Sequence, residues 1–282
     1  MTDIQIERAD GRASALAAGS ARRLLAGIRF VAPVFGMLLV WELVVRAGLV
    51  DGRVLPPPSL IAARGFEMVF DTEHAVLLQH IGHSLYRAVA AFAIAVVVAL
   101  PLGFWLGLNR TAYNWISPIL SVLLPLPAVA WTPIFLVTLG HGDATIISVC
   151  FLGAVFPVLY STIQGVRAIP PHTIWVVRSM GAPRHAIFTK VLVPASLPTV
   201  MTGFKLGLAH SWRTLVAAEM LAALSYGLGY MIFAARQYMD TQTMFVGIVL
   251  LAMLGFIFEH FLFGTVERAT IRRWYAHHRK GG

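Results

Sequence analysis

Residues Ala88–Leu108 read AVAAFAIAVVVALPLGFWLGL, with no Asp, Glu, Lys or Arg. A helix of about 20 apolar residues spans the hydrocarbon of a bilayer. Working outward, Thr111–Gly142 is also free of those charges, and Pro118 to Leu139 is its apolar part. Ala144–Val166 is clean, and Thr199–Ala222 is apolar except for Lys205, Arg213 and Glu219. Thr241–Phe258 runs on to Phe263 past Glu259, and Phe30–Trp41 continues through Glu42 to Val45 and Gly48. Six spans are predicted, at 30–49, 86–108, 117–139, 144–166, 198–222 and 242–263. The residues before the first are polar or Ala-rich, and no signal-peptide cleavage pattern stands out after it.

Composition agrees. The 282 residues are 58% hydrophobic and 12% charged, against about 45–50% and about 25% in soluble domains. So little charge cannot coat a globule of this size. A soluble enzyme, a disordered chain and a disulfide scaffold are excluded, the last also by the single Cys150. Net charge is +9, but its distribution speaks for a membrane rather than nucleic acid. Six spans put both termini on one side. With that side inside, fifteen of the 22 Lys and Arg are internal and only Arg53, Arg64 and Arg236 lie in outer loops. The positive-inside rule then orients the chain with both termini cytoplasmic.

Prolines interrupt the spans. Pro101 and Gly103 interrupt the second, Pro118, Pro125, Pro127 and Pro133 punctuate the third, and Pro157 lies in the fourth. Each frees a carbonyl that lipid cannot satisfy, so a broken helix packs on protein or lines a cavity. Between the fourth and fifth spans, 167–197 is the longest internal loop. Pro170-Pro171 opens it, and a helix is expected over His172–Met180. Gly181-Ala182-Pro183 stops that helix, with Gly181 left-handed. A second short helix over Arg184–Leu192 is expected to end before Pro194, with Ile187, Phe188, Val191 and Leu192 on one face.

Arg178-Ser179-Met180-Gly181-Ala182, followed by Val191-Leu192-Val193-Pro194, resembles the cytoplasmic EAA loop of ABC importer permeases. The motif's spacing from Gly to Pro matches in full. Leu124-Pro125-Leu126-Pro127-Ala128-Val129-Ala130-Trp131-Thr132-Pro133 is similar to the third span of the nitrate/sulfonate/taurine branch. Phe156-Pro157, Gly165-Val166, Ala218-Glu219-Met220 and Gly227-Leu228-Gly229-Tyr230 also fit, as do Pro56, Pro58-Ser59 and the basic stretch Arg268 to Trp274. The likeness covers Pro56 to Trp274. One position departs: Trp175-Val176-Val177 stands where the family has Glu-Ala-Ala.

The resemblance implies a type I ABC importer permease fold, all-α, with a cytoplasmic segment 1–29, a transmembrane domain over 80–264 and a basic tail 265–282. It implies a non-catalytic inner-membrane subunit that binds no cofactor, paired with a second permease copy. Two ATPase subunits would use ATP and Mg, and a periplasmic or lipid-anchored binding protein would deliver a sulfonate, taurine or nitrate. Trp175, Arg178, Ser179, Gly181, Ala182, Pro183 and Pro194 map onto the coupling loop. The absence of a Gly-Lys-Ser/Thr phosphate loop fits borrowed energy. An ion-coupled secondary transporter would need inverted repeats and a mid-membrane acid, and none is read here.

Arg213 and Glu219 are the candidate pathway residues. Charges inside spans face a bundle interior or a wet cavity, so each either meets the pathway or pairs with a neighbouring helix. Six residues apart, they point to different faces. Glu42 and Arg46 are expected to pair locally at i, i+4. Lys205 is expected to snorkel, and Glu259 to contact another helix. His80-Ile81-Gly82-His83, with His74, is expected in a solvated outer loop, and His277-His278 among lipid headgroups.

The charge distribution predicts topology. A reporter attached after Gly282 is expected in the cytoplasm, and one inserted between Ser225 and Tyr238 outside. Reporter activity and protease accessibility check this, and both reporters on one side would overturn the six-span reading.

Overall fold

A computed structural model describes residues 32–70 and 74–258. The segment 1–29, Glu259, the histidine pair at 277–278 and the tail 265–282 lie outside the described residues. The described residues are helical or loop, with no strand among them. The chain divides into two units, 1–65 and 66–282.

In the first unit, α1 occupies residues 32–46, within the span expected at 30–49. The second helix, α2 (Pro58–Phe70), begins here. Arg46 Nε donates to Glu42 Oε1 at 2.6 Å, the expected local pair. Ser59 adds its N–H at 3.0 Å to Glu42 Oε2 and its hydroxyl at 2.7 Å to Oε1. A carboxylate thus accepts from the first turn of α2, where free amides and the helix dipole favour negative charge.

The second unit is built on three long helices, α3 (His74–Leu108), α6 (Asp143–Arg167) and α9 (Val193–Ala222). The middle one packs along both others. Close approach is made by glycines at four-residue spacing. A Cβ on Gly103 or Gly107 would come within 2.6 or 2.7 Å of Thr162 or Val166 of α6. On the other side, a Cβ on Gly203 or Gly207 would come within 2.5 or 2.7 Å of Ser161 or Val158. Small residues let spanning helices gain contact area that the hydrophobic effect does not supply in lipid. Ala91, Ala95 and Ala99 continue the α3 seam, all fully buried.

The third expected span is not one helix. It divides into α4 (Arg110–Leu123), a 3-10 turn (Ala128–Trp131) and α5 (Thr132–Leu139), with an 88° bend across the break. The Asn109 side chain caps α4, accepting the Ala112 N–H at 3.0 Å. Pro125 cannot donate to the Ser121 carbonyl and Pro127 brings no N–H, so the helix stops. Two other bounds also move. The helix that holds the second expected span begins earlier: α3 starts at His74, and the candidate span within it runs 33 residues from Val76. Pro194 does not end a helix, because Arg184–Ala222 is one continuous run of 39 residues. It passes from α8 (Arg184–Ile187) through a π turn (Phe188–Leu192) into α9. The Val193 N–H reaches back five residues to the Phe188 carbonyl, and the widened turn carries the chain past the proline.

Three described helices are long and apolar enough to cross a bilayer, or four if the bent pair is one span. Beyond α10 (Leu228–Gln237), α11 (Thr241–Ile257) is a shorter apolar helix.

The seam predicts that Gly107→Ala, which drives a methyl into Val166, destabilises by about 1–3 kcal/mol. Gly82→Ala, whose Cβ meets nothing within 4 Å, should be neutral or stabilise by up to about 1 kcal/mol. Thermal unfolding in detergent compares the two.

Candidate functional site

The 167–197 loop is shaped by hydrogen bonds that its sequence foreshadows. Its first helix, α7, runs Pro171–Ser179. Gly181 has φ +79°. Its N–H donates to the Arg178 carbonyl at 3.0 Å, and the Ala182 N–H donates to the Val177 carbonyl at 3.3 Å. That pair of bonds is a Schellman stop. Ile169, Ile187 and Leu192 form a small core beneath it, with Ile174, Val177, Ala182 and Phe188 packed around. The opposite face is open. Trp175 is 66% exposed, and Val176, Arg178, Ser179, Met180 and Pro183 are exposed with it. The Ser179 hydroxyl turns back to the Trp175 carbonyl at 2.9 Å. Pro194 is half-buried inside the continuous helix.

Glu219, expected as a pathway candidate, is instead sealed from solvent at 0% exposure. Arg87 Nη1 donates to its Oε1 at 2.8 Å. The Ser84 hydroxyl donates to the carboxylate at 2.8 Å, and the Gly229 N–H reaches Oε2 at 2.9 Å. Arg87 is 3% exposed and also donates to Asp143 at 2.8 Å and to the Tyr226 carbonyl at 2.6 Å. The Leu228 N–H donates to the Ser84 hydroxyl at 2.8 Å, and the Gly227 N–H to His80 Nδ1 at 3.1 Å. The network thus joins α3, the start of α6, the end of α9 and the 226–229 turn. A Cβ on Gly227 would fall 2.6 Å from Glu219 Cδ.

His80 therefore does not lie in a solvated loop. It is a buried helical residue, and its ring meets Tyr226 and Tyr230. Sequence reasoning missed Arg87, Ser84 and His80 as partners. A signal was present: positions 80, 84, 87, 91 and 95 follow helical spacing, so the polar residues sit in line with the buried alanines.

Arg213 lies apart from Glu219, as their spacing requires. It is exposed and carries no ion pair among the described residues. One turn before it, His210 lines a cavity of about 410 Å³ together with Leu206. The other walls are the 124–128 break and Leu152, Gly153, Phe156, Pro157, Tyr160 and Ser161 of α6. A second cavity of about 240 Å³ is lined by Tyr113, Ser117, Leu120, Ser121, Leu124 and Tyr160.

Long apolar helices packed through glycine seams, buried charge held by full pairing, and a broken helix beside a cavity define a polytopic membrane protein of the transport class. Comparison with known proteins carries this further. Residues 99–271 match the family of binding-protein-dependent transport system inner membrane components. The taurine transport system permease protein TauC of Escherichia coli (strain K12) is 33% identical over 83% of this chain and 86% of its own length. The putative aliphatic sulfonates transport permease protein SsuC of Bacillus subtilis (strain 168) is 32% identical over 80% of each. The inward-facing MetNI methionine ABC transporter shares the fold, with TM-score 0.60 and 23% identity over 69% of this chain and 96% of that one. The chain belongs to the binding-protein-dependent transport family and is a permease subunit of the ABC importer type.

Removing one partner of a buried pair strands the other charge. Arg87→Leu and Glu219→Leu should each cost about 3–5 kcal/mol, and the double variant less than their sum. Asp143, 44% exposed, is partly solvated, so Asp143→Asn should cost under about 1 kcal/mol. Thermal unfolding in detergent tests the ranking.

Proposed function

We propose that this chain is one of two identical permease subunits in an inner-membrane importer for a small anion of the sulfonate, taurine or nitrate class. The relatives carry this reading, since the two most informative of them are a taurine and a putative sulfonate permease, each matched over at least 80% of its length. Nitrate and bicarbonate permeases among the relatives widen the class to small oxyanions. In this reading the chain makes six spans with both termini cytoplasmic. The internal excess of Lys and Arg supports that orientation.

Two separate ATPase subunits bind ATP and Mg and grip the 167–197 loop of each permease. A binding protein delivers the anion outside. The exposed face of α7 supports this docking role. Trp175 and Met180 offer apolar area beside the Arg178 charge, so a groove filled by an aromatic ring replaces the family's carboxylate contact. Ala182 and Pro183 set the direction of the chain after the stop, and Pro194 lies where loop and span become one helix. Closure of the ATPase pair pushes on α7, and the continuous run from Arg184 carries the displacement into α9. The cavity beside the 124–128 break is the natural stretch of pathway in each subunit, because broken backbone at membrane depth is stable where it lines a cavity.

Gly181 tests the coupling. A Cβ there meets no atom within 4 Å, so Gly181→Val acts through its left-handed backbone, at about 1–2 kcal/mol, and through crowding of a docked partner. Membrane insertion should be unchanged, while copurification of the ATPase or its stimulation by the binding protein falls. Trp175→Ala should give a related docking defect. Normal binding, stimulated hydrolysis and taurine uptake in Gly181→Val would overturn the assignment of this loop.

A further inference from the structure

We infer that the two cavities form one anion lane with Tyr160 as its constriction, an inference that rests on the anion-importer reading above. The cavities share two lining residues, Leu124 from the broken helix and Tyr160 from α6. The boundary between them is therefore one aliphatic side chain facing one phenol. The larger cavity adds the Ser161 hydroxyl and the His210 imidazole. The smaller adds the hydroxyls of Tyr113 and Ser117. Ser121 lines it as well, but its proton is already given to the Ser117 carbonyl at 2.9 Å.

Neither cavity is lined by a carboxylate or by a Lys or Arg. Two cations bracket the lane instead. Arg213 is exposed one helical turn beyond His210. Arg167 lies at the other end, its guanidinium 3.7 Å from the centre of the Tyr113 ring. Fixed positive charge at each end draws an anion in, and neutral O–H donors between them hold it weakly enough to leave, as conduction requires. A cation would find no counter-charge along the same route. The larger cavity also has polar side chains at membrane depth, which face water or protein rather than hydrocarbon. Tyr160 is the only residue in both cavities that can donate a hydrogen bond, so an anion passing between them must meet its hydroxyl.

The test uses the whole transporter, permease with ATPase and binding protein, in proteoliposomes. Native Cys150 is buried, so added cysteines report alone. Tyr160→Cys is treated with 2-sulfonatoethyl and with 2-(trimethylammonium)ethyl methanethiosulfonate, each rate divided by that of a free thiol. The sulfonate reagent should react about tenfold faster, and adding Arg213→Gln should remove most of that preference. Val97→Cys, in the apolar stretch of α3 and 71% exposed, should react with neither. No reaction at position 160, as when a second permease copy covers it, or equal rates for the two reagents, overturns the lane.

Tyr160→Phe keeps the ring and removes the donor. Taurine uptake should fall about tenfold while stimulated ATP hydrolysis continues. Unchanged uptake overturns the constriction and leaves the importer reading standing. If the unsubstituted transporter takes up neither taurine, ethanesulfonate nor nitrate, the importer reading falls, and the reagent preference at position 160 then decides the lane by itself.

Discussion

The ion pair of Arg87 with Glu219 is the constraint around which the 66–258 region is arranged. A carboxylate inside a helix bundle has lost its water, and desolvation of that kind exceeds the attraction of a single partner unless further donors complete the set. Glu219 has that set: a guanidinium, a hydroxyl and a backbone amide. The requirement propagates outward. Arg87 has donors to spare, and they go to Asp143 and to the Tyr226 carbonyl. A side chain at Gly227 would enter the carboxylate's space, and one at Gly229 would strike the Val216 carbonyl and Glu219 Cβ. One acid thereby fixes where α6 begins, where α9 ends and how the chain turns into α10.

The three central helices and the broken pair obey different rules. Around α6 the packing is close, because glycines on both neighbours admit the backbone. Along α4 no residue is buried at all. The unit therefore combines a tightly seamed part with a bent element that is only lightly held, and the cavities lie where the two meet.

Much of this was legible in the sequence, and what was not has a physical reason. Gly181 could be read because a helix stop is local: the residue that must turn left-handed and the carbonyls it satisfies lie within five positions. Glu42 with Arg46 was readable for the same reason. The partner of Glu219 was not, because Arg87 lies 132 residues away and at the edge of its apolar run, where a charge draws no attention. The bend in the third span escaped a count of apolar residues, which is blind to direction, although its prolines marked the place. His80 and His83 suggested a wet loop because polar residues flank the span, whereas the helix simply continues through them. Pro194 read as a terminator because proline has no N–H to continue the α-helical ladder, whereas the π turn just before it, Phe188–Leu192, lets the helix run on.

That π turn has a mechanical meaning. Inserting one residue into a helix advances the phase of everything beyond it by about 100°, so Phe188–Leu192 sets the azimuth of α9 relative to the loop that feeds it. With 39 residues in one run, at 1.5 Å each, the rod is about 58 Å long. Tilting it by about 5° at the loop end sweeps the far end through about 5 Å, roughly the height of one helical turn. Under the coupling proposed for this loop, such a joint would act as a crank, turning a small push at the base into a stroke the size of a small anion.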